Sequence, residues 1–293
     1  MNKEFEASLK SIETENYLDR VFYRPIGFKI AKALTGTGIT PNMITILSIF
    51  VGSVAGVLWF FPYSLTYAIV GIVSLIVANI LDCVDGQLAR LTGIKSEIGR
   101  ILDGFAGDLW FLLIYIAFAH RLNMDHSTWL FWLAAVAMGI SHLNQAAMTD
   151  YYKTLHLFFI SKDKGKEFES SARIKARVAT MPNVVNRFFS KLYIIYTLIQ
   201  EKQTPQLQKL LAGLKEKYGE EIPDDVRMGF RTESRKLMHW IDWMTFNGLS
   251  LVLFLSVLLN AVWIYLVWVI IVLNILNKII RLRHEKMCKS LEK

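Results

Sequence analysis

Residues 67–90 read YAIVGIVSLIVANILDCVDGQLAR. From Tyr67 to Leu81 no side chain carries a charge, and Asp82, Asp85 and Arg90 then follow in close succession. A helix needs roughly 20 mostly apolar residues to cross a bilayer. Working outward, Met43 to Phe61 supplies a first span, and Tyr67 to Leu81 a shorter second. Ile101 to Ala119 makes a third that contains two aspartates, and Trp129 to Met148 a fourth. Met244 to Ile280 is long enough for two more, with Asn260 as the turn between them. The expectation is an all-α integral membrane protein with six transmembrane helices. Composition agrees, with 53% of the 293 residues hydrophobic and a mean hydropathy of +0.35. A large soluble helical bundle is the weaker reading, because span lengths and flanking charges match a bilayer.

The chain divides by composition. Residues 1–41 form an N-terminal arm with no signal-peptide pattern. Ser8 to Leu34 reads as an amphipathic helix lying in the membrane interface, with Leu18, Val21, Phe22, Ile26 and Phe28 apolar and Lys29 and Lys32 available to lipid phosphates. A short helix packed on the core is the competing reading. Residues 42–149 carry the first four spans. Residues 150–239 are a polar helical insert between the fourth and fifth, punctuated by Pro182, Pro205 and Pro223. Its apolar run, Phe188 to Ile199, contains Lys191 and is too short to span. The insert is open to three readings: a lid, an oligomer contact or an appendage. Residues 240–281 hold the last two spans, and 282–293 a basic tail.

Charge orients this arrangement. Arg90, Lys95 and Arg100 follow the second span, a basic segment follows the fourth, and Lys286 and Lys289 lie in the tail. Basic loops stay cytoplasmic, so both termini and the insert are expected in the cytoplasm. Arg121, with Asp125, is a mild exception on the outer side. The net charge of +8 is a topology signal suited to an anionic leaflet, not a mark of nucleic-acid binding. Cys83 and Cys288 are expected to stay reduced there and are too few for a zinc site.

Four acids, Asp82, Asp85, Asp103 and Asp108, sit at or inside span ends, where a carboxylate is costly unless paired or metal-bound. On one helix, Asp82, Asp85, Gly86, Ala89 and Arg90 form a continuous stripe, acidic, then small, then basic. Gly99 and Asp103 share a face of the next span. Antiparallel packing of the two helices would gather Asp82, Asp85 and Asp103, and such hard oxygen ligands suit Mg²⁺ or Mn²⁺ rather than zinc. Mg²⁺ commonly fills its shell with substrate phosphate oxygens, so a phosphate-bearing substrate is implied. Each residue also has a plain structural reading: a cap for Asp82, a turn for Asp85-Gly86, a topology anchor for Arg90, helix packing for Gly99. The joint spacing outweighs them.

The pattern resembles the signature of the CDP-alcohol phosphotransferase family (CDP-alcohol phosphatidyltransferases), D-x-x-D-G-x-x-A-R, eight residues, G-x-x-x-D-x-x-x-D. Asp82, Asp85, Gly86, Ala89, Arg90, Gly99 and Asp103 match it, and Gly38 to Thr45 also looks like that family. The resemblance covers Arg24 to Met148 and the last two spans, with the insert outside it. It implies that Asp82, Asp85 and Asp103 hold metal against the diphosphate of a CDP-linked donor. Gly86 and Ala89 would leave room for cytidine, and Arg90 would orient the site or neutralise phosphate. It also implies a homodimer. The last position departs: the fourth aspartate, the family's presumed base or second-metal ligand, is expected at 107, which is Gly107, and Asp108 comes one later. On a regular helix that position points about 140° from Asp103 instead of about 40°. A one-residue π-bulge between Gly104 and Gly107 would restore it.

The implied reaction is transfer of a phosphatidyl-type group to an alcohol with release of CMP, in phospholipid synthesis, at a site open to the cytoplasm and to lipid. The resemblance points to CDP-diacylglycerol as donor and inositol or inositol phosphate as acceptor. Lys95 and Arg100 could bind a phosphorylated acceptor, though a cytoplasmic anchor is the commoner role. His142, Asn144, Gln145 and Asp150 would line an acceptor pocket or join helices by hydrogen bonds. Three rivals stand beside the enzyme. An intramembrane cation transporter leaves the Gly86, Ala89 and Arg90 stripe unexplained. A prenyltransferase would need a second aspartate-rich motif. An inactive homologue acting as a scaffold is motivated by Gly107.

Overall fold

A computed structural model describes residues 3–94, 97–161, 168–181, 184–219 and 221–292. Among the described residues the chain is helical, with no strand. Contacts divide it into two compact units: residues 1–144 with 245–274, and residues 145–244 with 275–293.

The first unit begins with a short helix, α1 (Lys3–Ala7), and a π-helical turn, Asp19–Tyr23, that leads into α2 (Arg24–Leu34). The arm is therefore not one continuous helix from Ser8. Its side chains divert the backbone into local bonds. The Ser8 hydroxyl donates to the Phe5 carbonyl at 2.7 Å, Ser11 Oγ accepts from Glu13 N at 3.3 Å, and Asn16 Oδ1 accepts from Leu18 N at 2.9 Å. Ser, Thr and Asn offer the chain such alternatives to helix. Helix α2 packs on the protein through buried Gly27 and Ala31, while Val21 and Phe22 remain exposed.

Helix α3 (Pro41–Leu58) starts where Thr40 caps it and Pro41 presets its first turn. Helix α4 (Leu65–Thr92) is capped by Ser64 and stops at Gly93, whose left-handed φ of 73° suits glycine. Helix α5 (Glu97–His126) returns alongside α3, and α6 (Leu130–Ile160) follows. Glycines set the close approaches. A Cβ on Gly56 would stand 2.6 Å from Leu113 Cβ, one on Gly52 would meet the Trp110 indole, and one on Gly71 the Trp59 indole.

The second unit contains α7 (Ser171–Ala179), α8 (Val184–Gln203), α9 (Pro205–Tyr218) and α10 (Asp224–Ile241). Pro205 opens α9 and Pro223 precedes α10; Pro182 lies outside the described residues. Phe159 stacks on Phe230 at 3.8 Å, and the His156 ring bonds the Ser234 hydroxyl at 2.7 Å. Helices α11 (Phe246–Leu258), α12 (Trp263–Val267) and α13 (Leu273–Leu291) close the chain, with a π-helical stretch, Trp268–Val272, before α13.

Five helical segments among the described residues are long and apolar enough to cross a membrane: Pro41–Leu58, Leu65–Thr92, Gly104–His126, Asp224–Leu258 and Trp263–Leu291. Apolar side chains such as Phe50, Val73, Leu112 and Leu251 are left exposed along them, as suits an integral multi-pass membrane protein. The expected span at 129–148 is not among the five. It is helical, within α6, but Ser141, His142, Asn144 and Gln145 dilute its apolar character, and three of these, Ser141, His142 and Gln145, are buried. The turn at Asn260 is present, with a positive φ of 52° that asparagine tolerates better than most residues.

If the glycine contacts set the packing of α3 on α5, Gly56→Leu should lower stability by about 1–3 kcal/mol. Thermal unfolding in mild detergent measures this. Gly139→Ala, where an added Cβ meets nothing within 4 Å, should leave the transition in place or raise it.

Candidate active site

Helix α4 carries Asp82, Asp85, Gly86, Ala89 and Arg90 in unbroken α-helical geometry, so the stripe exists. Asp85 is 2% exposed. Its Oδ2 accepts a 2.6 Å hydrogen bond from the Thr45 hydroxyl on α3. Thr45 also lies 3.1 Å from the Pro41 carbonyl, but a hydroxyl has one proton, and the shorter, charge-assisted contact takes it. Asp82 lies one turn earlier and is half-buried.

Arg90 folds back over the glycine before it. A Cβ on Gly86 would come 3.1 Å from an Arg90 guanidinium nitrogen. The Nε of Arg90 donates to the Ser8 carbonyl. The fully buried Gln87 donates from Nε2 to the Ser8 hydroxyl at 3.0 Å. Helix α2 presses on the same part of α4, since a Cβ on Gly27 would lie 2.6 Å from Gln87 Oε1. Arg24, at the start of α2, pairs with Glu15 at 3.0 Å. Burial works against its charge, yet Cys83, Glu15, Asp19 and Asp82 hold its pKa above the ordinary arginine value. The N-terminal arm is therefore part of the site's wall. Sequence reasoning missed Thr45, Ser8 and Arg24 in this role; Thr45 lies in the stretch that looks like the family, whereas Ser8 and Arg24 lie in the expected interfacial arm.

Lys95 lies outside the described residues, as do the side chains of Arg100 and Asp103. The backbone of Asp103 can still be located along its helix. Gly52 faces Trp110, Gly56 faces Leu113 and Ile114, and Trp59 lies beside Phe118, so facing residues of α3 and α5 are about 58 positions apart. Carried back along both helices, that register brings Asp103 level with Thr45, and hence with Asp85.

Asp108 is placed differently from the expectation. Helix α5 is regular from Glu97 to His126, with no π-bulge between Gly104 and Gly107. Asp108 lies five residues beyond Asp103, about 7.5 Å further along the axis. Its Oδ1 sits 3.3 Å from His142 Nε2. The other ring nitrogen of His142 bonds the buried Tyr115 hydroxyl at 2.8 Å, and Phe111 packs on the ring at 4.7 Å. The carboxylate, imidazole and phenol form a chain between α5 and α6.

The donor set fits a hard divalent cation: Asp82 and Asp85 offer only oxygen, and the Thr45 bond holds one carboxylate in orientation. Another grouping, His284, Glu285 and Cys288, brings its ligand atoms within 4.8 Å in the second unit. Glu285 there already caps α9, accepting from Gln206 N at 2.7 Å and Leu207 N at 3.4 Å. Cys83 and Cys288 are free and buried.

The family model for CDP-alcohol phosphatidyltransferases matches residues 38–196, more than half of the chain, and the chain belongs to this family. The match runs on through residues 150–196, into the insert that the motif resemblance had left outside. The chain is 32% identical over 110 residues to the phosphatidylinositol phosphate synthase of Mycobacterium tuberculosis, covering 34% of this chain and 49% of that protein. It is 37% identical over 75 residues to the archaetidylinositol phosphate synthase of Pyrococcus horikoshii, covering 26% and 38%. The chain thus spans about half the length, or less, of the curated relatives it matches. The family is generally metal-dependent.

Thr45→Val keeps the shape of the side chain and removes the bond to Asp85. Mn²⁺ affinity measured by calorimetry should fall about tenfold or more, the usual loss when an outer-shell partner of a ligand is removed. Ser53→Ala, whose hydroxyl bonds only its own helix at Ile49 O, should leave affinity unchanged.

Proposed function

We propose that this protein transfers a phosphatidyl-type group from a CDP-linked lipid, CDP-diacylglycerol, to an alcohol acceptor, inositol phosphate or inositol, with release of CMP. The acidic, small and basic stripe on α4, with Arg90 held over Gly86, carries this reading. Inositol phosphate is favoured because the relatives named above are a phosphatidylinositol phosphate synthase and an archaetidylinositol phosphate synthase, and because Lys95 and Arg100 follow the motif helix.

In this reading Asp82, Asp85 and Asp103 would hold Mg²⁺ or Mn²⁺, which would offset the charge of the donor diphosphate. Ala89 and Gly99 leave space beside the helices for the nucleotide, and the missing side chain of Gly86 admits the Arg90 guanidinium that would face it. Arg90, anchored by the Ser8 carbonyl, would neutralise phosphate charge beside the metal. The acceptor oxygen bonds to the β-phosphorus as the bond from that phosphorus to the CMP oxygen breaks, and CMP leaves with the electron pair. The acceptor proton passes to Asp108, alone or through His142 as its hydrogen-bonded partner. Tyr115 holds the imidazole in one orientation. A regular α5 turns Asp108 about 140° from Asp103, so in this reading it takes a proton beside His142 and is not a metal ligand. Because the CDP head and CMP are polar, the site opens to the cytoplasm, with both termini on that side, and laterally to lipid for the acyl chains. Two copies would associate as a homodimer.

Release of CMP from the purified protein, supplied with Mg²⁺ or Mn²⁺, CDP-diacylglycerol and a panel of alcohols, tests the assignment. Turnover should require the metal, stop on chelation and peak with an inositol acceptor. No release with any donor would favour the scaffold or transporter readings. Asp103→Asn should abolish turnover. Asp108→Asn and His142→Gln should each lower kcat by about 10²-fold or more with little change in donor affinity; full activity in both variants would remove the proton-transfer role.

A further inference from the structure

At the far end of the first unit, away from Asp85, the chain forms a half-open cavity of about 260 Å³. Trp59, Tyr63 and Ser64 from the α3–α4 turn, Arg121 from α5, and Leu258 and Asn260 beside the α11–α12 turn line it. Along α5 it stands 18 residues beyond Asp103, or about 27 Å at helical rise, close to the roughly 30 Å hydrocarbon thickness of a bilayer. It is a separate place from the phosphotransfer site, and nothing in that reaction uses it.

Its central residue is anomalous. Arg121 is 4% exposed, and arginine is almost never so buried unless paired. One guanidinium nitrogen, Nη2, donates to the Asn260 side-chain oxygen, a neutral partner. The Nε has no acceptor. Among the described residues no carboxylate lies within ion-pairing distance of Arg121. Asp125 is near enough for its charge to reach Arg121, but its Oδ1 takes the Tyr63 hydroxyl at 2.8 Å. A buried positive charge thus sits beside the cavity with an unused N–H, near the end of a membrane helix, and its nearest carboxylate, Asp125, is out of contact and already bonded to Tyr63. Around the cavity, Phe61, Leu65 and Leu258 present large exposed apolar surfaces.

We propose that this cavity is a phospholipid site in the leaflet opposite the active site. The phosphodiester of the lipid bonds Arg121, and its acyl chains run over Phe61, Leu65 and Leu258. The guanidinium fork suits a phosphate's paired oxygens, and the cavity is many times the roughly 30 Å³ of a single water. The apolar rim favours a lipid over a free anion. The recognised group is the phosphodiester, so headgroups that share it should bind alike in kind.

Native mass spectrometry of the full chain in detergent tests this, titrating phosphatidylglycerol or phosphatidylcholine, with inorganic phosphate as competitor. Two variants are needed. Arg121→Gln removes the charge. Asn260→Asp keeps Arg121 but gives it a carboxylate in place of an amide, and aspartate tolerates the left-handed backbone there. A correctly folded Asn260→Asp protein therefore remains informative if Arg121→Gln does not fold. The wild type should hold one more phospholipid than either variant at equal lipid concentration, with an apparent dissociation constant at least tenfold lower. Millimolar inorganic phosphate should not displace it. Equal lipid occupancy in the wild type and Asn260→Asp would overturn the proposal, as would full displacement by inorganic phosphate, which would make this a free-anion site.

Discussion

A single carboxylate shut away from water governs much of the first unit. Asp85 is buried on α4 and held by the Thr45 hydroxyl on α3. Burying an ionised carboxylate costs several kcal/mol unless hydrogen bonds and counter-charge compensate. The helices that carry its partners must therefore stay close and in register. The glycines answer this need. Gly52 and Gly56 let α3 lie against α5, Gly71 admits Trp59, and Gly27 lets α2 press on Gln87 and Cys83. Between membrane helices, where lipid is as apolar as the helix surface, such small residues are what permits close contact.

The same constraint accounts for the polar residues of α6. His142 is tied to Asp108 on one ring nitrogen and to Tyr115 on the other. Asn274 donates to Ser141 at 2.8 Å. These groups lower the apolar character of a 31-residue helix without exposing their charge or polarity to lipid. A helix can be poor in apolar residues and still be well placed in such a bundle when its polar side is turned inward.

Much of this architecture was legible from residue order. The apolar runs overlap all five long apolar segments, but they mark the ends poorly where polar residues continue the helix, as from Leu81 on to Thr92; the Asn260 turn followed from the length of the last run. The α4 stripe required only helical spacing, because Asp82, Asp85, Gly86 and Arg90 are near neighbours. The partners that complete the stripe were not legible. Ser8 lies 82 positions from Arg90, and Thr45 lies 40 from Asp85; no periodicity within one helix reports contacts of that range. The arm was misread because its apolar residues satisfied a helical pattern while Ser8, Ser11 and Asn16 were weighted too little as turn formers. At Asp108 the sequence supplied the correct geometric problem, an offset of one position. The expected distortion did not follow, since His142 gives the carboxylate a partner where a regular helix already points it.

The strap formed by Ser8 has a consequence for how the chain is made. A ribosome synthesises Ser8 some 80 residues before Gln87 and Arg90 exist to receive it. Two hydrophobic segments enter the bilayer in that interval. The arm cannot make these two contacts until the second of those segments has been synthesised. The part of the site's wall that is made first can thus be fastened only after the motif itself exists.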